Sequence, residues 1–295
     1  MSTTDESYLI GLIGDGITAS LTPPMHEREA REHGLLHLYR PVDTAALGLA
    51  GEAAQQAAPR LLAAGRELGF NAFNITHPFK QTIMAHLDEV DRDARNLGAV
   101  NTVVFREGRS VGYNTDYSGY ITGLQSAIAE PDLGEVVQLG AGGAGSAIAY
   151  ALLRAGAQRL TLIDLDLDRA TARAAALQEQ FPDQVVRARP HADLRDALAA
   201  ATGLAHCTPV GMHTHPGMPV QASWLRPQMW VSEVVYLPVE TELVVAARAA
   251  GCQVVDGGRM AVGQALDAFG LMTGRQADPE RVRRHFLELV ARNQG

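Results

Sequence analysis

Short apolar, β-branched runs alternate along this chain with longer alanine-rich stretches whose apolar positions recur at helical spacing. That alternation predicts strand–helix units built around largely parallel sheets. In the first third, strands are predicted at Tyr8–Ile13, Leu36–Arg40 and Phe70–Ile75. Helices are predicted at Pro24–His33 and Ala53–Leu68, closing on Gly34 and Gly69 where a left-handed residue is wanted. Pro78 suits the first turn of a further helix, with Thr76 and Lys80 flanking its N-terminus. Ala99–Phe105 and Ser110–Tyr113, separated by Arg106-Glu107-Gly108-Arg109, predict a hairpin.

After Asn114 the rhythm restarts. A helix at Tyr117–Ala129 stops before Pro131, and a strand at Val136–Leu139 runs into Gly140-Ala141-Gly142-Gly143-Ala144-Gly145 and an apolar helix. Further strands are predicted at Leu160–Ile163, Gln184–Arg187, Gly203–His206, Val231–Tyr236 and Gln253–Val255, followed by helices at Arg259–Thr273 and Asp278–Ala291. The expected fold is α/β with two domains. Residues 1–115 form the first, completed by 257–295 as the final helices return to it, and residues 116–256 form the second, of Rossmann type.

Composition narrows the function classes. With 295 residues and 46% apolar content the chain can bury two ordinary cores. A formal net charge of −8 without clustered cations argues against nucleic acid as a partner. Cys207 and Cys252, without CxxC spacing, fit a reducing cytoplasm and read as small buried residues. The N-terminus is acidic and no apolar run approaches membrane-spanning length, so neither a signal peptide nor a membrane partner is expected. The expected location is cytoplasmic, and a homodimer is an admissible assembly.

The glycine run matters because of its setting. It follows a predicted strand, opens a helix, and precedes an acidic residue, Asp164, at the end of the next strand. Glycines let backbone approach a pyrophosphate at a helix N-terminus, and the carboxylate accepts hydrogen bonds from ribose hydroxyls. Asp164-Leu165-Asp166-Leu167-Asp168 sets three carboxylates where a 2′-phosphate would sit, with Arg169 the one cation close by. Like charges 4 Å apart repel by roughly 4 kcal/mol at an effective dielectric of about 20, which favours NAD over NADP. Asp166 and Asp168 also read as an ordinary solvated helix start.

Lys80 is the one lysine in a chain whose other basic residues are arginines. Arginine does not release its proton in a protein, whereas lysine can, so a lysine retained at a strand end is a candidate proton-transfer group. Polar residues recur at other strand ends: Asn101-Thr102, Asn114-Thr115-Asp116, and Gln264 on an otherwise apolar helix. Together they suit a polyhydroxylated ligand. Ser20 and Thr22 either bind an anionic group or cap the helix they precede. His213-Thr214-His215 lacks a third ligand nearby, and no metal is expected.

Ser20-Leu21-Thr22-Pro23-Pro24-Met25-His26, Asn74 through Lys80, Gly98 through Thr102, Gly112 through Asp116, the glycine run, Thr208-Pro209-Val210-Gly211-Met212 and Gly257 through Gln264 resemble, in order and spacing, the shikimate dehydrogenase family. The match spans nearly the whole chain. Thr22, Asp164 and the run Val235 through Glu242 are most similar to its NAD-dependent quinate/shikimate dehydrogenase branch. The resemblance implies a catalytic pair, Lys80 and Asp116, and substrate binding by Ser20, Thr22, Thr76, Asn101, Asn114, Tyr236 and Gln264. It also implies that Gly140, Ala141, Gly142, Gly143, Ala144, Gly145 and Asp164 bind the cofactor, with Thr208, Val235 and Gly257 near the nicotinamide. The implied reaction is reversible NAD-dependent oxidation of the C3 hydroxyl of quinate and shikimate.

Three positions depart from the family pattern. His206 stands where asparagine is common, Asp164-Leu165-Asp166 replaces an arginine-containing turn of the NADP-linked biosynthetic members, and Gly263 is smaller than the histidine expected in the quinate branch, which would widen the substrate site. The rival readings are a biosynthetic NADP-dependent shikimate dehydrogenase, a non-catalytic sensor of the same pathway's ligands, and a dehydrogenase for an unrelated polyol acid.

Overall fold

The computed structural model describes residues 7–49 and 51–293. Two compact units emerge: one runs to Thr115 and resumes at Ala265, and the other is Asp116–Gln264.

The first unit opens with β1 (Ser7–Gly14), α1 (Thr22–Glu32), β2 (Leu36–Asp43) and α2 (Gly51–Glu67). It continues through β3 (Ala72–Ile75), β4 (Glu89–Val90), α3 (Arg92–Leu97) and the hairpin β5 (Thr102–Arg106) and β6 (Arg109–Tyr113). Its sheet has the order β2-β1-β3-β5-β6-β4 and is mixed: β1 runs parallel to β2 and β3, while β5 is antiparallel to β3 and β6. A central strand covered on both faces needs a continuous apolar run, which Tyr8–Ile13 supplies. On one face Ala54, Ala58 and Leu62 of α2 meet Ile13, Phe73, Ile75 and Val103. Gly34 and Gly69 take φ of +70° and +79° after their helices, the left-handed conformation that glycine adopts without a Cβ clash.

Pro78 does not start an α-helix. The His77–Pro78 bond is cis, Phe79 N–H closes a turn on Thr76 O at 2.9 Å, and a short 3₁₀ helix forms only at Thr82–His86. Thr76 and Lys80 therefore flank a turn. α3 was absent from the expected elements, although Asp91, which accepts Asp93 N–H, and Gly98, with φ of +68°, cap its two ends.

The second unit comprises α4 (Thr115–Ala127, entering at Asp116), β7 (Glu135–Leu139), α5 (Gly143–Arg154), β8 (Arg159–Asp164), α6 (Leu167–Gln180), β9 (Val185–Pro190), α7 (Leu194–Ala200), β10 (Gly203–His206), β11 (Trp230–Glu233), α8 (Glu242–Ala249) and β12 (Gln253–Val255). Its six strands are all parallel, in the order β12-β11-β10-β7-β8-β9. This is the doubly wound arrangement in which strand order reverses at β7. β11 ends at Glu233, three residues short of the expected Tyr236, because the Glu233 carboxylate accepts Val234 N–H at 2.8 Å and Val235 N–H at 3.0 Å.

Helix α9 (Gly257–Thr273) belongs to the second unit as far as Gln264, later than the expected boundary at Gly257. The reason is its contact with α4: a Cβ on Gly263 would lie 2.1 Å from Gly119 O, and one on Gly119 would lie 2.4 Å from Gln264 N. Gly263 thus serves backbone-to-backbone helix packing rather than widening a substrate site. From Ala265 onward α9 lies in the first unit, where Ala268 and Met272 pack on Ile10, Leu12, Tyr39, Ala72 and Val104. α10 (Pro279–Asn293) is fastened to α1 by a buried acid, Glu29, which accepts Arg281 Nη2 at 2.6 Å, Arg281 Nε at 2.8 Å and Asp278 N–H at 2.8 Å. A bidentate arginine fork suits a carboxylate taken out of water.

Beneath α1, His26 and His37 stack at 6.0 Å against Tyr39 and Phe269, and all four ring nitrogens lack hydrogen-bond partners. Burial, with the His37 charge adding to it, lowers the His26 pKa from 6.5 to about 3, and burial lowers that of His37 to about 4. The unfolded chain therefore binds more protons than the folded one between pH 6.5 and about 4, and stability is lost as pH falls through that window. Each group contributes a slope of up to about 1.4 kcal/mol per pH unit. Denaturant midpoints at pH 7 and pH 5 should show a loss that shrinks in the His26→Leu, His37→Leu double variant; an equal loss in parent and variant would remove these histidines as its source.

Candidate active site

In the first unit, the polar residues gather after β1, after β3 and around the hairpin. The loop after β1 is held by Asp43, which accepts Gly16 N–H at 2.9 Å, Thr18 N–H at 3.0 Å and the Thr18 hydroxyl at 2.6 Å. This leads the chain into Ser20 and Thr22 in a fixed path. Leu21 is the N-cap of α1 and no side chain caps the helix there. Ser20 Oγ accepts Thr22 N–H at a long 3.3 Å. Ser20 thus meets the first N–H of α1, and among the described residues no bond from the Thr22 hydroxyl to the helix start is seen.

Lys80 is half-buried in the turn after β3, and its position is over-determined. The neighbouring Phe79 is fully buried among Ile13, Ile75, Ile83 and Val100, and Lys80 O accepts Val100 N–H at 2.7 Å. Burying one such aromatic is worth about 2 kcal/mol, enough to hold a short turn against local fraying. Thr76 N–H bonds Ile13 O at 2.9 Å at the base of the same turn.

A buried polar chain links the neighbouring strands. Tyr39 donates its hydroxyl to Asn74 Oδ1, Asn74 Nδ2 donates to Thr102 Oγ1 at 2.9 Å, and Thr102 donates to Asn101 Oδ1 at 3.0 Å. Asn101 Oδ1 also accepts Thr115 N–H at 2.7 Å, and its Nδ2 donates to Thr115 Oγ1 at 3.1 Å. Most of the Asn101 amide is thus engaged in holding Thr115, which leaves one Nδ2 hydrogen for a ligand. Asn114 Nδ2 donates to Ala99 O at 2.9 Å.

In the second unit, Asp116 is 8% exposed and its Oδ1 accepts Gln264 Nε2 at 3.0 Å. The structure therefore brings this carboxylate and this amide together across α4 and α9. The glycine turn follows β7. Gly140 has φ of +95°, and a Cβ on Gly145 would lie 2.2 Å from Gly140 O, so these two shape the turn, whereas Gly142 and Gly143 have open space where a Cβ would stand. Gly142 is the N-cap of α5, and the N–H groups of that first turn with the bare backbone beside them fit a pyrophosphate. Gln138, buried beneath the turn, donates Nε2 to Gly140 O and Gly145 O at 2.8 Å each.

Asp164 ends β8 and accepts Ala141 N–H at 2.7 Å, Asp166 N–H at 2.9 Å and Arg169 Nη2 at 2.6 Å. Burial pushes its carboxyl up, but the hydrogen bonds from Arg169, Ala141 and Asp166 outweigh it and hold the pKa below the ordinary carboxylate range. Arg169 was expected only as a nearby cation. Its pairing with Asp164 corrects the charge argument, since the acidic run is partly neutralised where a 2′-phosphate would approach. Asp166 caps α6 by accepting Arg169 N–H at 3.0 Å, so its role is local.

Thr208, Val235 and Gly257 lie just beyond β10, beyond β11 and at the start of α9; a Cβ on Gly257 would meet Val235 O at 2.2 Å. Tyr236 follows on the same loop and is 40% exposed. His213, Thr214 and His215 are exposed on a turn closed by the Met212–His215 bridge. Burial pushes the thiols of Cys207 and Cys252 up, away from nucleophilic or ligating character. Gln138, Glu233 and Asn74 were missed. For Gln138 and Asn74 the signal available was a single polar residue inside a strand run, and for Glu233 an acid next to Ser232 at the end of its strand.

A sequence profile of the shikimate dehydrogenase substrate binding domain matches residues 12–103. A shikimate dehydrogenase (NADP(+)) of Pseudarthrobacter chlorophenolicus is 59% identical over 291 residues, covering 99% of this chain and 98% of the relative. A quinate/shikimate dehydrogenase (NAD(+)) of Corynebacterium efficiens is 46% identical over 285 residues, covering 96% and 99%. Among solved structures, quinate dehydrogenase from Corynebacterium glutamicum in complex with NAD superposes with a TM-score of 0.90 at 46% identity, covering 96% and 99%. With relatives this similar along its full length, and with a parallel doubly wound unit that carries a dinucleotide turn, the chain belongs to the shikimate dehydrogenase family of nicotinamide-dinucleotide oxidoreductases.

Proposed function

We propose that the chain is an NAD-dependent dehydrogenase that oxidises the C3 hydroxyl of quinate and shikimate reversibly. The observation that carries this reading is Lys80, the one lysine of the chain, fixed in the turn after β3 by buried Phe79 and by the Val100 N–H. Oxidising an alcohol requires removal of the hydroxyl proton as hydride leaves the carbon, and NAD when bound supplies the hydride acceptor. Lys80 accepts the proton and returns it in the reverse direction. Asp116, oriented by the Gln264 amide, is its acidic partner. Ser20 and Thr22 bind the substrate carboxylate through their hydroxyls, held at the start of α1. Thr76, Asn101, Asn114, Tyr236 and Gln264 serve the ring hydroxyls, with Asn101 also holding Thr115.

NAD is the preferred cofactor in this reading because Asp164 retains a carboxylate at the end of β8 for ribose hydroxyls. The NAD-bound quinate dehydrogenase neighbour supports it. One observation favours a second reading, an NADP-linked shikimate dehydrogenase: Arg169 lies on Asp164, ready to meet a 2′-phosphate, and relatives at 59% and 56% identity carry the NADP name.

Steady-state rates for quinate and shikimate, each with NAD and NADP, decide between these readings. We expect kcat/KM with NAD to exceed that with NADP on both substrates, and Asp164→Asn to narrow the difference while raising the KM for NAD. Faster turnover with NADP, confined to shikimate, would establish the second reading.

Lys80→Arg keeps the charge and removes the transferable proton, so it should lower kcat nearly as much as Lys80→Ala, by about 10²–10⁴-fold. An arginine variant within a few-fold of the parent would reduce Lys80 to an electrostatic role.

A further inference from the structure

The ligand crevice of a doubly wound sheet lies outside the carboxyl ends of its strands, where strand order reverses. Here that point is β7 with its glycine turn, flanked by β8 and Asp164 on one side and by β10 and β11 on the other. A dinucleotide with its pyrophosphate on the turn and its adenosine ribose at Asp164 sends its second nucleoside over the ends of β10 and β11. His206 and Glu233 are the last residues of those strands, paired in register, and both are buried, at 0% and 2% exposure. A buried carboxylate must be surrounded by donors, and this one is.

Glu233 Oε1 lies 2.8 Å from His206 Nδ1 and accepts the Val234 and Val235 N–H groups at 2.8 and 3.0 Å. Its Oε2 accepts the Thr241 hydroxyl at 3.0 Å, and Thr241 in turn caps α8 through Val244 N–H at 3.2 Å. On its far side His206 Nε2 is 2.5 Å from Thr208 Oγ1, which accepts Val210 N–H at 3.3 Å. The contacts are satisfied with Nδ1–H donating to the Glu233 carboxylate and Nε2 accepting the Thr208 hydroxyl proton, a tautomer assigned from this pattern. One acid and one imidazole thus tie together the Thr208 turn, the Val234–Val235 backbone and the start of α8. Val235 O is the atom against which Gly257 packs.

We propose that His206 and Glu233 are positioning residues for the nicotinamide half of the cofactor, acting through the Thr208 turn and the Val235 backbone rather than by touching the dinucleotide. This rests on the dehydrogenase reading above. It also gives a role to the buried His206.

The test separates the two halves of the cofactor. Dissociation constants for NADH and for ADP-ribose, which lacks the nicotinamide, are measured with the full chain by calorimetry. His206→Ala and Thr208→Val should each weaken NADH by about ten-fold, or about 1.4 kcal/mol, while ADP-ribose changes less than two-fold. Thr208→Ser, which keeps the hydroxyl, should retain NADH affinity. ADP-ribose binding reports the fold of every variant, and if His206→Ala fails to bind it, the Thr208→Val and Thr208→Ser pair carries the test. Equal weakening of both ligands, no weakening of either, or a serine variant as weak as the valine variant would overturn the proposal. A parent that binds NADH yet oxidises neither quinate nor shikimate would overturn the substrate assignment and leave this comparison intact.

Discussion

The carboxylate of Asp164 joins the parts of the cofactor unit that have to act together. Through Ala141 N–H it pins the glycine turn to the end of β8, through Asp166 N–H it turns the chain into α6, and it pairs with the Arg169 guanidinium. A charge at this depth persists only when donors surround it. Those donors offset part of the field that would otherwise repel a phosphorylated ribose. The Arg169 side chain is 50% exposed, so its pairing with Asp164 is discounted by solvent.

The substrate unit solves a related problem with neutral groups. Tyr39, Asn74, Thr102, Asn101 and Thr115 pass hydrogen bonds from strand to strand inside the sheet, so the polar residues at its edge start from a satisfied and rigid base. Lys80 stands on the apolar counterpart of that base, with Phe79 buried beside it. The same unit carries His26 and His37 as neutral rings without partners, which links its packing to pH although neither histidine takes part in the proposed chemistry.

Much of this was legible in the chain. The apolar runs located the central strands, and the glycine run with Asp164 located the dinucleotide turn, because local spacing alone sets both. What was not legible depended on partners distant in sequence. Arg169 reads as a helix-start residue until its side chain is found on Asp164. Gly263 reads as an enlarged pocket until Gly119 is found against it. The turn at Pro78 and the Glu233 carboxylate that accepts the Val234 and Val235 N–H groups at the end of β11 leave no periodic signature. Gln138 is visible only as a polar interruption of an apolar strand and Glu233 only as an acid at the end of its strand, patterns that also fit solvated edges.

In the proposed reading, Arg169 softens without abolishing the repulsion that Asp164 exerts on a 2′-phosphate. The most direct measurement is the ratio of the NADPH and NADH dissociation constants for the parent and for Arg169→Gln. The account predicts that the parent binds NADH more tightly and that removing Arg169 widens this preference. A ratio that stays the same or narrows in the variant, or a parent that holds NADPH more tightly, would contradict it.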